Sequence, residues 1–239
     1  MLKIENLFYS PVKSISFNES SSLKIIKDKG VDKDRIFAFV QNIEASQIKI
    51  LLTDPKSRKL NNFLTLKNTP ELNKYNFTFI NDKLILKERS KEIISIDPYS
   101  EIEKKLISKI ISKLINKEKK IDFLMDKLNP FFDTMPHNSI SLINKNSIYD
   151  FERNISTKIE FERFRSNIYI NGLKAWKERE WVGKTIEINN IKFLVTEEIP
   201  RCSATNLQPN SDMVTINLPK QLKKSYDHIY MGIFLIPQN

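Results

Sequence analysis

Short runs of β-branched and aromatic residues, divided by polar turns, recur along the sequence and limit what the chain can fold into. They occupy positions 3–9, 22–26, 35–40, 77–80, 83–86, 121–125, 139–143, 167–171, 184–189, 191–197 and 229–236. Such runs predict short strands, and their spacing is typical of a small barrel or sandwich. Asn189 and Asn190 predict a hairpin turn between two of them, because Asn tolerates positive φ.

A helical pattern covers residues 100–116. Apolar residues recur there at every fourth position, with lysines on the other face: Ile102, Leu106, Ile110 and Leu114. Ser100 followed by Glu103 predicts a capping box at the start of the helix. We expect this helix to pack at a junction between two β halves, and shorter helical turns near residues 147–151 and 218–225.

The scarcity of cysteine, histidine and glycine excludes several kinds of site. Cys202 is the only cysteine, so a single chain forms no disulfide and no four-thiolate zinc or iron–sulfur centre. His137 and His228 lie too far apart in sequence for the pair of a zincin helix, and the four glycines are too dispersed for a Walker A or dinucleotide-binding loop. Any redox centre must therefore come from a bound cofactor or a partner.

Charge and hydropathy narrow the choice of partner. The formal net charge is +10, but the lysines are scattered rather than clustered, so we rank an anionic cofactor above nucleic acid. No signal sequence or membrane-spanning run is recognisable. With one free thiol and no signal, we expect a cytoplasmic protein without a membrane partner.

Cys202 has an unusual sequence context. A lone cysteine is most often a small buried apolar residue. Here Arg201 precedes it, and a neighbouring guanidinium can favour the thiolate that attacks electrophiles and binds soft metals. Cys202 is therefore a candidate soft ligand or nucleophile in an electropositive loop.

Cationic and hydroxyl side chains also cluster at the ends of predicted strands. They are Lys13 with Ser14, Arg35, and the pair Arg163 and Arg165 around Phe164. If residues 163–167 are extended, the two arginines share one face and Phe164 points to the other. Arginine forks and lysine charges suit a phosphate group. Taken singly, each of these residues is better explained as a surface salt-bridge partner.

Three ordered motifs resemble the MOSC domain, a module of molybdenum-cofactor sulfurases and mitochondrial amidoxime-reducing proteins. They are residues 163–168 (RFRSNI), 175–183 (AWKEREWVG) and 201–206 (RCSATN). Upstream, residues 9–14 (YSPVKS) and 30–35 (GVDKDR) resemble the N-terminal β-barrel domain that accompanies MOSC, and residues 133–136 (DTMP) and 140–144 (ISLIN) resemble the entry to the MOSC core.

The resemblance implies a mostly β fold: a β-barrel MOSC core with a few helices, preceded by a smaller N-terminal β-barrel domain. The implied division is 1–96 for the N-terminal domain, 97–120 for a connecting helix and 121–239 for a MOSC domain without its usual closing strand. It implies that Cys202 is the catalytic residue and ligates molybdenum. The residues implied to hold the molybdenum cofactor are Lys13, Ser14, Arg35, Asp133, Thr134, Arg163, Arg165, Asn167 and Thr205.

By the same resemblance, the chain is expected to be an oxidoreductase that reduces N-oxygenated compounds of the hydroxylamine or amidoxime type. Electrons would come from a separate donor protein of flavin or iron–sulfur type. Two alternatives stay open: a sulfur carrier or cofactor-handling protein with a persulfide on Cys202, and a basic binding domain that kept the fold without the chemistry.

The chain departs from the family pattern at several positions. Ile199 stands where many relatives have a second cysteine, so no dithiol mechanism is open to a single chain. Ser166 replaces the usual proline of the arginine motif, and Gln208 stands where relatives often have Asp or Asn.

Overall fold

The computed structural model describes residues 2–15, 17–116, 120–132 and 138–239. Fourteen strands and four α-helices lie in these ranges. The strands are β1 Lys3–Tyr9, β2 Asn18–Ser20, β3 Ile25–Ile26, β4 Gly30–Val31, β5 Phe37–Gln41, β6 Tyr75–Ile80, β7 Lys83–Glu88, β8 Lys91–Ile96, β9 Ile121–Met125, β10 Ile140–Asn144, β11 Ile168–Asn171, β12 Thr185–Ile188, β13 Ile191–Pro200 and β14 Tyr230–Pro237. The helices are α1 Ala45–Thr53, α2 Glu101–Leu114, α3 Lys145–Ile155 and α4 Leu218–Tyr226. The prediction of a mainly β chain with a few helices is confirmed.

The chain divides into two compact units that interleave along the sequence. Unit 1 comprises residues 1–9, 19–32 and 134–239, and unit 2 comprises residues 10–18 and 33–133. Each unit is therefore built from segments that are separated in sequence by a segment of the other unit. The predicted boundaries at residues 96 and 120 stay a prediction.

Unit 1 is built on a seven-stranded sheet in the order β12-β13-β14-β10-β11-β1-β2. The β10–β11 pair is parallel, with Leu142 opposite Ile168, whereas β14 pairs antiparallel with both β10 and β13. The buried side chains of the central strands form one cluster: Ile140, Leu142, Ile168, Ile170, Phe193, Val195, Ile233 and Leu235, with Val31. In the described residues this sheet does not close into a barrel.

Unit 2 combines the antiparallel pair β5–β9 with the three-stranded meander β6-β7-β8. Phenylalanine rings fill its interior, with Phe37 stacked on Phe123 at a centroid distance of 5.3 Å and Phe39 lying 5.9 Å from Phe77. A second apolar cluster packs α1 through Leu51 against Phe63 and Phe131. Of the helices described, none combines the length and apolar character needed to cross a membrane.

Helix α2 begins where the sequence predicts, but it buries a different face. The Ser100 side chain accepts from the Glu103 amide at 3.4 Å, while the Glu103 carboxylate accepts from the Asp97 amide at 2.6 Å instead of closing the box on Ser100. The buried apolar residues are Ile107 and Ile111, both 0% exposed. Ile102 and Leu106 of the predicted stripe are 80% and 44% exposed. The expected packing face was wrong, because this helix has enough isoleucine and leucine for two stripes and its packing partner decides between them.

Candidate functional site

Cys202 lies just after β13, where the chain enters the 3₁₀ turn Ser203–Asn206. Its thiol is free and half-buried. The Thr205 amide and hydroxyl both donate to the Cys202 carbonyl, at 3.1 and 2.8 Å. Thr205, predicted to hold the cofactor, therefore fixes the main chain that presents the thiol.

Arg201 is buried, and its guanidinium turns toward main-chain carbonyls. Its Nε donates to the Met231 carbonyl at 2.8 Å, Nη2 donates to the same oxygen, and Nη1 donates to the Phe164 carbonyl at 2.8 Å. Burial lowers the pKa of Arg201 to about 10. In the described part of the chain no carboxylate forms an ion pair with it. Within the described residues, a buried positive charge without an acidic partner thus lies beside Cys202.

The segment that carries the arginine pair is not extended. Phe161–Phe164 form a 3₁₀ turn, and Arg165 follows in the left-handed conformation with φ 51°. Phe164 is buried, as expected of the apolar side. The condition under which Arg163 and Arg165 would share one face, an extended segment, is therefore not met.

Arg163 is also buried, and all three of its nitrogen atoms have protein acceptors. Its Nε donates to Glu160 Oε2 at 2.7 Å, Nη1 to the Asn206 carbonyl at 2.9 Å, and Nη2 to Thr215 Oγ1 at 2.7 Å. The guanidinium therefore reaches from the arginine motif to the last residue of the turn that follows Cys202.

Asn167 joins three strands of the unit 1 sheet. Its Oδ1 accepts from the Ser141 amide and hydroxyl, at 3.1 and 2.9 Å, and its Nδ2 donates to the Phe8 carbonyl at 3.1 Å. The Asn167 amide in turn donates to Ser141 Oγ at 2.9 Å. These bonds tie the arginine motif to β10 and β1.

The remaining predicted residues lie in unit 2 or outside the described residues. Lys13 is buried and donates to the Phe131 carbonyl at 3.0 Å. The Arg35 guanidinium contacts Asp34 and lies 4.8 Å from the centre of the Phe132 ring. Ser14 follows Lys13 with φ 66°. Asp133 and Thr134 lie outside the described residues.

The structure thus forms two local groups of predicted site residues. In unit 1, Arg163, Thr205 and Cys202 are linked through the turn after β13. In unit 2, Lys13 and Arg35 both contact the segment formed by Phe131 and Phe132. That the two groups hold one ligand stays a prediction.

A polar network around residues 175–183 escaped residue-by-residue prediction. Glu178 is fully buried and accepts from the Ser147 hydroxyl at 2.6 Å and from Asn144 Nδ2 at 3.2 Å. Burial raises the pKa of the Glu178 carboxyl. The Ser147 hydroxyl also accepts from the Trp176 amide at 2.8 Å. The sequence indicates this segment only through its family motif, because the residue pattern does not distinguish a glutamate that is buried from the exposed charged residues around it.

The same motif contributes to an aromatic cluster near the start of β14. The Trp176 ring lies 4.6 Å from Tyr226, and the Tyr226 ring stacks on His228 at 5.7 Å. Arg179 forms a two-point ion pair with Glu198 and approaches His228 Nε2 at 2.7 Å through Nη1. Burial and the charge of Arg179 lower the pKa of His228, so the imidazole is neutral near pH 7.

Among the described residues, no group of three or more His, Cys, Asp or Glu side chains is placed to hold a metal ion. The one cysteine thiol is that of Cys202.

Comparisons with known proteins agree with the sequence motifs. The family model of the MOSC domain matches residues 132–236. Mitochondrial amidoxime reducing component 2 of Rattus norvegicus is 29% identical over 87 residues, which are 36% of this chain and 25% of that protein. Its counterpart from Macaca fascicularis is 30% identical over 80 residues, 34% of this chain and 23% of that protein. The chain thus matches about a quarter of the length of these relatives.

A solved structure also aligns with the chain. The YUAD protein from Bacillus subtilis is 10% identical, with 100% of this chain and 90% of that chain covered and a TM-score of 0.42. The family model and the three motifs coincide around Cys202, and residues 132–236 of this chain match the MOSC domain.

Proposed function

We propose that this chain is a molybdenum-cofactor-dependent oxidoreductase that reduces N-oxygenated compounds. The MOSC domain and the likeness to amidoxime reducing components support the general class. The single observation that carries the proposal is the presentation of Cys202. Its free, half-buried thiol stands at a strand end, on a turn whose main chain is fixed by Thr205 and reached by Arg163.

The donor set suits such a cofactor. A thiolate is a soft ligand of the kind that a redox metal accepts, and Cys202 would supply such a ligand. Arg201 brings a buried positive charge with no carboxylate partner in the described ranges, which favours an anionic group near Cys202. The residues described around Cys202 therefore fit the group that the family implies.

In this proposal different side chains hold different parts of the cofactor. Cys202 binds the metal, and Thr205 keeps the Cys202 carbonyl in place. Cationic and polar side chains hold the pterin and its phosphate: Lys13, Ser14, Arg35, Arg163, Arg165, Asn167, Asp133 and Thr134. The reaction takes up two electrons and two protons and converts an N–OH group into N–H and water; the bound cofactor supplies the electron exchange.

The electrons come, in this proposal, from a separate protein that carries a flavin or an iron–sulfur centre. With one cysteine in the sequence, a single chain holds no four-thiolate cluster of its own. A persulfide on Cys202 is the alternative use of the same half-buried thiol.

Metal analysis tests the assignment of Cys202. Purified from a host that makes the cofactor, the wild-type protein is expected to hold close to one molybdenum per chain, and Cys202→Ala to have lost most of it. Ser203→Ala is the matched control, because Ser203 is the exposed neighbour in the same turn, and it should keep its molybdenum. Equal metal in wild type and Cys202→Ala would refute the ligand assignment.

Two further measurements separate the reaction from its alternative. Wild type loaded with cofactor should reduce a hydroxylamine or an amidoxime when a reduced viologen dye replaces the natural donor. Intact-protein mass spectrometry that shows a labile sulfur atom on Cys202 and no pterin would instead support the sulfur carrier.

A further inference from the structure

Two buried arginines link the arginine motif, residues 163–168, to the motif of residues 201–206, which contains the proposed metal ligand. Arg163, from the arginine motif, donates through Nη1 to the carbonyl of Asn206, which ends the turn after Cys202. Arg201, which precedes Cys202, donates through Nη1 to the carbonyl of Phe164 in the arginine motif. Each motif therefore holds the main chain of the other.

Each guanidinium is also fixed at a further point. Arg163 Nη2 donates to Thr215 Oγ1 at 2.7 Å, and Arg201 Nε donates to the Met231 carbonyl of β14 at 2.8 Å. A lysine at either position has a single nitrogen and cannot form both contacts in this geometry. The two links therefore depend on the planar, multi-donor shape of arginine and not on its charge alone.

The neighbouring main chain is shaped to admit Arg201. Gly232 follows Met231 in β14 with φ +81°. A Cβ added there would lie 3.4 Å from Arg201 Nη2, and 2.5 Å from both the Leu142 carbonyl oxygen and Ile143 Cγ1. The guanidinium thus packs against bare backbone, which leaves it little freedom to move.

We propose that Arg163 and Arg201 form an arginine clasp that positions Cys202. The clasp fixes both ends of the segment that bears the thiol, because Arg201 anchors residue 201 and Arg163 anchors residue 206. The inference rests on the proposed function only in treating Cys202 as the metal ligand. The position of the thiol is measurable without any cofactor.

The two arginines stabilise the same contact between the two motifs, so the effects of substituting them are coupled. Loss of either link frees the turn from the arginine motif, and loss of the second link then changes little. Side chains in one hydrogen-bonded network show such non-additive effects, whereas independent residues do not.

The test is the rate at which Cys202 of the cofactor-free protein reacts with an aromatic disulfide reagent. Arg163→Lys and Arg201→Lys keep the charge and remove the fork. Each is expected to raise the rate roughly tenfold, the factor that corresponds to one lost charge-assisted hydrogen bond, since the half-buried thiol becomes more exposed. The double variant should react about as fast as either single variant.

The matched control is Arg153→Lys. Arg153 is an exposed arginine on α3 whose ion pair is with Asp150, three residues before it. Arg153→Lys should react at the rate of the wild type. All variants should react alike in concentrated urea, because the unfolded chain keeps no link between the motifs; equal rates there show that the differences do not come from the reagent or from the thiol itself. The proposal is overturned if both clasp variants react no faster than Arg153→Lys. It is also overturned if the rate increase of the double variant equals the product of the rate increases of the two single variants.

A milder variant decides the matter if a clasp variant does not fold. Thr215→Val removes only the Nη2 acceptor of Arg163, from an exposed position. It should raise the rate above that of Arg153→Lys by less than the lysine variants; no rise overturns the clasp. Molybdenum content is measured separately: a wild type without metal but with the expected thiol rates would refute the proposed function and leave the clasp intact.

Discussion

Gly232 shows how closely one residue can be constrained by its surroundings. It has φ +81°, and its missing side chain leaves room for Leu142, Ile143 and Arg201. Gly232→Ala is expected to lower the free energy of unfolding by about 3 kcal/mol or more, since a left-handed alanine costs about 1 kcal/mol and the overlap adds further strain. Urea denaturation measures the change.

Gly183 is the matched comparison for this prediction. It has nearly the same φ, +80°, but no atom of the described residues lies within 4 Å of its added Cβ. Gly183→Ala should therefore lose only about 1 kcal/mol, the backbone part of the effect. If both variants lose the same amount, the crowding at Gly232 does not matter to stability.

At this scale, the sequence predicts local conformation better than side-chain direction. Asn189 and Asn190 have φ of 48° and 64°, as the hairpin pattern predicts. Arg201, by contrast, looks in sequence like a neighbour that influences the thiol directly, whereas its acceptors are the carbonyls of Phe164 and Met231, 37 and 30 residues away. Periodicity and composition carry no signal for such a long-range bond.

At the scale of single elements, helix α2 provides a matched pair of isoleucines. Ile111 is 0% exposed and Ile102 is 80% exposed, on the same helix. Ile111→Ala is expected to cost about 3 kcal/mol of unfolding free energy through the cavity it leaves, and Ile102→Ala less than about 0.5 kcal/mol. Thermal or urea unfolding of the two variants decides it, and a larger loss for Ile102→Ala would restore the stripe predicted from sequence.

The start of this helix is predictable because capping is local, whereas its buried face is not. The Ser100 cap is formed within three residues of sequence. Burial of Ile107 instead of Leu106 depends on β9, against which the helix packs. The arginine motif shows the same division, since Phe164 is buried as expected while the backbone forms a 3₁₀ turn that alternation does not reveal.

At the scale of the whole molecule, the net charge of +10 should weaken the folded state through self-repulsion. Raising the ionic strength from about 0.01 M to about 0.15 M shortens the screening length from about 30 Å to about 8 Å, so the Tm near pH 7 should rise. At the isoelectric point, near pH 9.4, the rise should largely vanish. The same salt effect at both pH values would show that self-repulsion is not its cause.

The fold class follows from the sequence because each of the eleven predicted runs overlaps a strand and the three predicted helical segments overlap α2, α3 and α4, although β2, β4, β8 and α1 were not predicted. The interleaved units do not, because they depend on pairs between distant segments, such as Lys3 opposite Asn171. For the candidate site, the family motifs point to Cys202 and its turn, but the protein acceptors that occupy Arg163 emerge only in three dimensions.

The pairing of β1 with β11 also sets an order of events during synthesis. Residues 3–9 leave the ribosome before the strand they join, Ile168–Asn171, which is translated about 160 residues later. Unit 2 ends at residue 133 and can gather its strands earlier. The nascent chain must therefore carry the β1 segment without this partner during that time, which makes the segment the natural point of contact for a chaperone.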